Sequence, residues 1–375
     1  GLGYKNGSEA GAYFTVIANP SLKWETQIST DIALEFGLFD RLTGTIEYFK
    51  KDSKDLLFDV SQPASVGVTS IIQNIGKVTN SGVEIELDYN AFKNKDWSVS
   101  VGANATFVKN KIKNLPATMK ENGYISGSKK WLEGKSIYEF WLRQWHGVDP
   151  QTGDGLYVAD VSKYNQGNIG TGDGNITQSQ FDEYKKTVVT IDGKELTNSY
   201  TYAKYDFSGS SIPDVFGGFN VRVSYKNFDL AAVFSYQLGG QVLDTNYATM
   251  MSMTEFGYAQ SPDLLKAWKQ AGDITEVPRI DNSAAHTTNI GQSYSTRWLT
   301  SSDYLNLRSV TIGYQFPKAW LSKVMLKSAR LNLTAENLFM LKARQGLNPM
   351  ANYSGVTYNE YMPSRNITLG LNVSF

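Results

Sequence analysis

The sequence predicts an all-β, antiparallel transmembrane β-barrel wall of about nine strands, because three features coincide. Apolar and polar residues alternate with a period of two, the alternating segments run about ten residues, and their connections alternate between short and long. Composition agrees: Tyr 22, Phe 18 and Trp 8, with Gly 33 against Pro 10, is strand-rich and turn-rich usage.

The elements follow in order. Residues 28–36 and 42–50 are the first two strands. In the third, Val83, Ile85, Leu87 and Tyr89 oppose Glu84, Glu86, Asp88 and Asn90; in the fourth, Trp97, Val99, Val101, Ala103, Ala105 and Phe107 oppose Ser98, Ser100, Gly102, Asn104 and Thr106. Phe219, Val221, Val223 and Tyr225 begin a second pair, completed by Leu230, Ala232, Phe234, Tyr236 and Leu238. Residues 304–316 form the seventh strand, where the phase slips between Leu307 and Val310 and predicts a β-bulge. Ala329, Leu331, Leu333 and Ala335 mark the eighth, and Ile367, Leu369, Leu371, Val373 and Phe375 the ninth.

Short charged links join these strands at residues 38–41, 93–96 and 226–228, with a longer one at 317–328. The remaining links are long, at about 51–74, 109–213, 239–296 and 341–363, and residues 1–20 complete the set as an outer loop. In outer-membrane barrels short turns face the periplasm and long loops the exterior. Phe375 then falls at the periplasmic rim. Nine is odd, whereas bacterial single-chain barrels have an even number of strands, and hydrocarbon does not tolerate unpaired strand edges. Because residues 1–8 read as the middle of a loop, the expectation is a C-terminal barrel portion whose remaining strands precede residue 1. The same alternation also suits a water-soluble β-sandwich with one solvated face.

Several function classes lack their parts. Lys plus Arg 36 equals Asp plus Glu 36, so the basic footprint of a nucleic-acid binder is missing. The absence of cysteine removes disulfides, thiolate metal sites and cysteine nucleophiles. His146 and His286 are the two histidines, and the H-E-x-x-H, G-x-S-x-G and P-loop strings are absent, so no enzyme and no cofactor are expected. Glu84, Glu86 and Asp88 share a strand face and read as the lining of a wet lumen rather than as paired glycosidase acids. Asp173-Gly174 lacks the partner acids of a calcium loop and reads as a tight turn, so no metal is expected either. Ser261-Pro262-Asp263 reads as the capped start of a short helix.

The link at 109–213 holds Trp131, Tyr138, Phe140, Trp141, Trp145, His146 and Tyr157. Flat rings with a polar tip suit sugar or peptide contact, which makes Trp131, Tyr138, Trp141, Trp145 and Tyr157 candidates for touching cargo or a partner. Packing of the loop onto the barrel is the competing expectation.

Ordered strings through the whole chain carry a family resemblance. They include residues 19–25 (NPSLKWE), 44–51 (GTIEYFKK), 74–84 (NIGKVTNSGVE), 147–153 (GVDPQTG), 212–218 (IPDVFGG), Arg297-Trp298-Leu299, 304–308 (YLNLR) and 336–339 (ENLF). With Pro363-Ser364-Arg365 and the terminal strand, these resemble the C-terminal barrel of SusC/RagA-type TonB-dependent outer-membrane transporters. The resemblance implies a 22-stranded barrel in the Bacteroidota outer membrane, with the plug and TonB-contacting segment outside this chain. It also implies TonB-dependent import of a glycan or oligopeptide with a SusD-like surface lipoprotein, and makes Phe375 resemble a barrel-assembly signal. A soluble carbohydrate-binding or adhesive module is the alternative.

Overall fold

The computed structural model describes residues 2–6, 9–12, 18–61, 65, 67–68, 70–74, 76–172, 174–253, 257, 259–292 and 294–375. Its main body is an antiparallel meander of nine strands: β1 (Thr26–Leu38), β2 (Leu42–Lys54), β3 (Lys77–Lys93), β4 (Trp97–Asn114), β5 (Val215–Tyr225), β6 (Phe228–Leu238), β7 (Tyr304–Gln315), β8 (Ser328–Glu336) and β9 (Asn366–Ser374). Each pairs with its sequence neighbour, and a short segment, Met340–Lys342, adds to the outer end of β7. All nine alternating segments of the sequence lie in these strands. Among the described residues the sheet is open, with β1 and β9 at its edges.

The turns at one end are tight. Phe39 and Asp40 take φ of 58° and 53° between β1 and β2, and Arg41 N–H donates to the Leu38 carbonyl at 3.1 Å. Left-handed backbone at two non-glycine residues is uncommon, but it matches the twist of flanking strands in a tight hairpin. Between β3 and β4 the Asn94 side chain accepts from the N–H groups of Asp96 (2.9 Å) and Trp97 (2.7 Å), closing the turn with its own carbonyl. Between β6 and β7 the register skips Arg308: Val233 pairs with Ser309 and Phe234 with Leu307. This is the predicted bulge.

Two strands run further than their alternation indicated. The outer halves of β3 and β4 mix polarity on both faces, with Val78, Thr79, Asn110 and Ile112 all buried. Loop residues cover these halves, and Leu115, Met119, Trp131 and Ile137 pack on Val78 and Ile112. Two-residue alternation vanishes once both faces are covered.

The long connections are folded rather than open. Residues 109–213 contain one four-stranded sheet from segments Tyr124–Ser126, Lys129–Trp131, Glu139–Arg143 and Tyr205–Ser210. A second joins Trp145–Val148, Gly155–Val158, Lys194–Thr197 and Val188–Ile191, next to helix α1 (Gln178–Thr187). Thr177 and Gln180 form a reciprocal capping box on α1. Asp173 lies outside the described residues; Gly174 beside it has φ 83°. Ser261 caps the short 3-10 helix Pro262–Lys266, accepting from Asp263 N–H at 3.3 Å, in line with the sequence reading. Leu2–Asn6 and Glu9–Ala12 pair as a hairpin inside the segment expected to be loop.

The core therefore sits in the loops. Most buried apolar residues belong to them, and the nine strands contribute Val78, Ile112, Leu307 and Ala329. One cluster joins Phe140 and Leu142 to Leu243, Met251, Leu264, Val277, Trp298 and Val356, which welds three separate connections into one lobe.

Candidate functional site

The meander sorts side chains onto two faces, because directly paired residues point the same way and neighbours along a strand point oppositely. One face reads Leu34, Ile46, Ile85 and Ala105 across β1 to β4. It continues as Leu230, Ile312, Leu333 and Leu369 across β6 to β9. These are exposed: Leu34 63%, Ile312 50%, Leu333 43% and Leu369 70%. A water-soluble sandwich would bury them beneath a second sheet; among the described residues the core is elsewhere.

Aromatic residues bound this face at both ends. At the short-turn end Trp97 packs on Tyr225 with ring centroids 4.3 Å apart, and Phe228 on Tyr314 at 4.5 Å. At the loop end Phe219 stacks on Phe234 at 4.6 Å, with Tyr48 and Phe107 flanking Val83 on the same face. Trp97 and Phe107 are roughly 33 Å apart along β4, or about 25 Å after the usual strand tilt, the height of a barrel's apolar band between its girdles. Phe375 is 86% exposed just beyond β9, at the short-turn end.

The opposite face is polar. Glu47 lies directly across from Glu84, Thr45 stands between Glu35 and Glu86, and Asp88 faces Thr43. Like charges directly opposed are destabilising, and hydration is what makes them tolerable, so this face must be wet. Arg330 forms a bidentate pair with Asp229 at 2.8 and 2.7 Å, lying over Gly313, where any Cβ would meet Arg330 and Asp229 atoms.

At the loop end, each aromatic candidate has partners. Trp131 donates Nε1–H to the Ile137 carbonyl at 3.1 Å and packs edge-on against Phe58. Tyr138 stands edge-on to Tyr353, 5.2 Å away. Trp141 meets Phe207 and lies under the Lys130 ammonium, 4.1 Å from the ring centre. Trp145 packs on Tyr157, with Arg297 4.7 Å above its ring. These four are half-buried, and the structure does not gather them around one cavity. Tyr157 is a correction: its ring is fully buried, its hydroxyl donates to the Asn289 carbonyl at 2.7 Å, and burial raises its pKa. It ties two connections together and offers no surface to cargo.

Polar groups that sequence patterns did not single out hold the lobe. Arg297 lies between Trp145 and Trp298, donates to the Ile290 carbonyl at 3.0 Å, and burial lowers its pKa to about 10. Asp244, 4% exposed, accepts from Tyr247 N–H (3.0 Å) and the Thr357 hydroxyl (3.3 Å), and lies 3.5 Å from the Arg344 guanidinium. Arg344 in turn sits over the Tyr247 ring, whose hydroxyl donates to Asp263 at 2.8 Å. Among the described residues of the lobe, the most exposed rings are on the last connection: Tyr358 at 65% and Tyr361 at 95%. No two-residue or helical period points to them, so only their loop position could have flagged them.

Lys129 is buried under the same lobe. Its Nζ donates to the Tyr138 carbonyl at 2.8 Å and the Ser211 hydroxyl at 3.3 Å, and lies 3.2 Å from the Phe140 ring centre. Those contacts return only part of the lost hydration, and burial lowers its pKa to about 7, with Glu139 opposing the shift. Above pH 7 the folded state releases this proton while the unfolded chain keeps it, so lobe stability should rise with pH. The expected gain from pH 7 to pH 9 is about 2–3 kcal/mol. Lys129→Met should abolish that slope; an unchanged slope in thermal unfolding followed by tryptophan fluorescence would refute the assignment.

Known proteins share this arrangement. The family model for TonB dependent receptor-like β-barrels matches residues 1–187. TonB-dependent receptor P3 of Formosa agariphila is 29% identical over 97% of this chain and 36% of its own length. TonB-dependent receptor SusC of Bacteroides thetaiotaomicron is 25% identical over 95% of this chain and 32% of its own. The RagAB peptide importer in its closed-closed state superimposes with a TM-score of 0.77 at 25% identity, covering 100% of this chain and 38% of that one. This chain thus spans about a third of the length of the relatives it matches. By family model, relatives and fold together, it is similar to the TonB-dependent receptor-like β-barrels, SusC and the RagAB importer among them.

Proposed function

We infer that this chain is the C-terminal wall and outer lobe of a 22-stranded outer-membrane barrel that imports a bulky nutrient in a TonB-dependent way. The observation that carries the reading is the exposed apolar face, girdled by aromatics and backed by a face of opposed carboxylates. Such a wall is stable with hydrocarbon on one side and water on the other. The remaining strands, the plug and the TonB-contacting segment are supplied outside residues 1–375, in keeping with the third of its relatives' length that the chain spans.

In this reading residues 1–20, 51–74, 109–213, 239–296 and 341–363 face the cell exterior. The half-buried Trp131, Tyr138, Trp141 and Trp145 contact cargo or a SusD-like lipoprotein through the ring edges they leave open. Cargo is a glycan or an oligopeptide; the relative described as a peptide importer supports the second. The chain breaks no bond, so it is a transporter component and not an enzyme.

Cells lacking the protein should lose growth on one polymeric nutrient, glycan or oligopeptide, and a proton uncoupler should block its uptake in wild-type cells. Undiminished growth on every such polymer would remove the import reading.

A further inference from the structure

The apolar face is not smooth at its outer end. β8 stops at Glu336, Asn337 turns left-handed with φ 52°, and the chain pairs with β7 again only at Met340–Lys342. Together with the bulge at Arg308, this puts a step in the wall. Beside the step runs a groove of about 630 Å³, lined by Phe219, Tyr236, Leu238, Leu305 and Leu341. By register all five belong to the apolar face. Its volume falls within the roughly 300–1,000 Å³ of small-ligand sites. At its outer end the lining turns polar at exposed Asp303. By the same register Lys342, which pairs with Tyr304, points to the opposite face, where its ammonium donates to the Leu347 carbonyl at 2.7 Å and lies 3.1 Å from the Met362 sulfur.

We propose that this groove holds one acyl chain of a membrane lipid. The proposal rests on the membrane reading above. A peptide occupant would bring backbone N–H and C=O groups to an almost wholly apolar lining and leave them unpaired, whereas a hydrocarbon chain brings none. The groove is continuous with the face that meets hydrocarbon, so lipid reaches it without crossing water.

The test uses the protein extracted with its native partners and returned to vesicles of phosphatidylethanolamine carrying a diazirine on one acyl chain. After illumination, label at Phe219, Tyr236 and Leu305 should exceed that at Ile312, Leu333 and Leu369 by about fivefold or more, as a chain resident in the groove requires. Ala343→Trp at the groove's edge should erase the excess, and Ile312→Trp, outside the groove, should keep it. Uniform labelling along the face, or an excess that survives Ala343→Trp, would overturn the groove while leaving the membrane reading intact. No label anywhere on the face would overturn both.

Discussion

Deleting residues 365–375 should abolish outer-membrane insertion. β9 pairs with β8 from Ser328 opposite Ser374 to Glu336 opposite Asn366, so its loss strips partners from a whole strand. In hydrocarbon each unpaired backbone group costs several kcal/mol, far more than a domain's net stability can absorb when summed along β8. The deletion also removes Phe375 from the rim. Phe375→Ser separates the two effects, since it leaves every backbone pair in place; it should slow assembly without preventing it. Membrane fractionation with heat-modifiability on gels reads both variants. Normal amounts of folded, membrane-inserted protein after the deletion would defeat the barrel assignment.

The second large effect lies across one peptide bond. Ile312 is on the apolar face, one step inside the Phe228 and Tyr314 girdle pair and aligned with Leu230 and Leu333, while Thr311 points the other way and shares a 3.0 Å hydroxyl contact with Thr334. Ile312→Arg should cost about 1–3 kcal/mol, between the roughly 2–4 kcal/mol of a cation facing the bilayer midplane and the roughly 0–1 kcal/mol near the interface. Thr311→Arg enters hydrated space, loses one part-buried hydroxyl contact, and should cost about 1 kcal/mol or less. Urea unfolding in lipid vesicles would measure both. Equal costs, or the reverse order, would mean that the faces have been assigned the wrong way round.

The sheet was legible in the sequence because hydrocarbon and water impose opposite demands on alternate residues, and β9 meets both without a miss from Ile367 to Ser374. Even the bulge at Arg308 showed as a slip of phase. The lobe was not legible. Its strands are three to six residues long, and in Glu139–Arg143 the buried Phe140 and Leu142 alternate with half-buried Glu139, Trp141 and Arg143, so polarity contrast is weak. Its polar clamps, such as Asp244 with Thr357 or Tyr157 with Asn289, join residues more than a hundred positions apart. No local period encodes such pairs. The aromatic candidates illustrate the limit: chemistry nominated Trp145 and Tyr157 equally, and only folding shows that one keeps an open edge while the other is sealed.

Because Phe140, Leu243, Trp298 and Val356 share one core, the surface connections cannot drift apart as independent evolutionary parts. A change that altered one of them through its interior would disturb the others, which favours exchange of the lobe as a block. Lineages that retune single positions should do so at the solvent-facing tyrosines of the final connection, Tyr358 and Tyr361, where nothing beneath them has to be rebuilt.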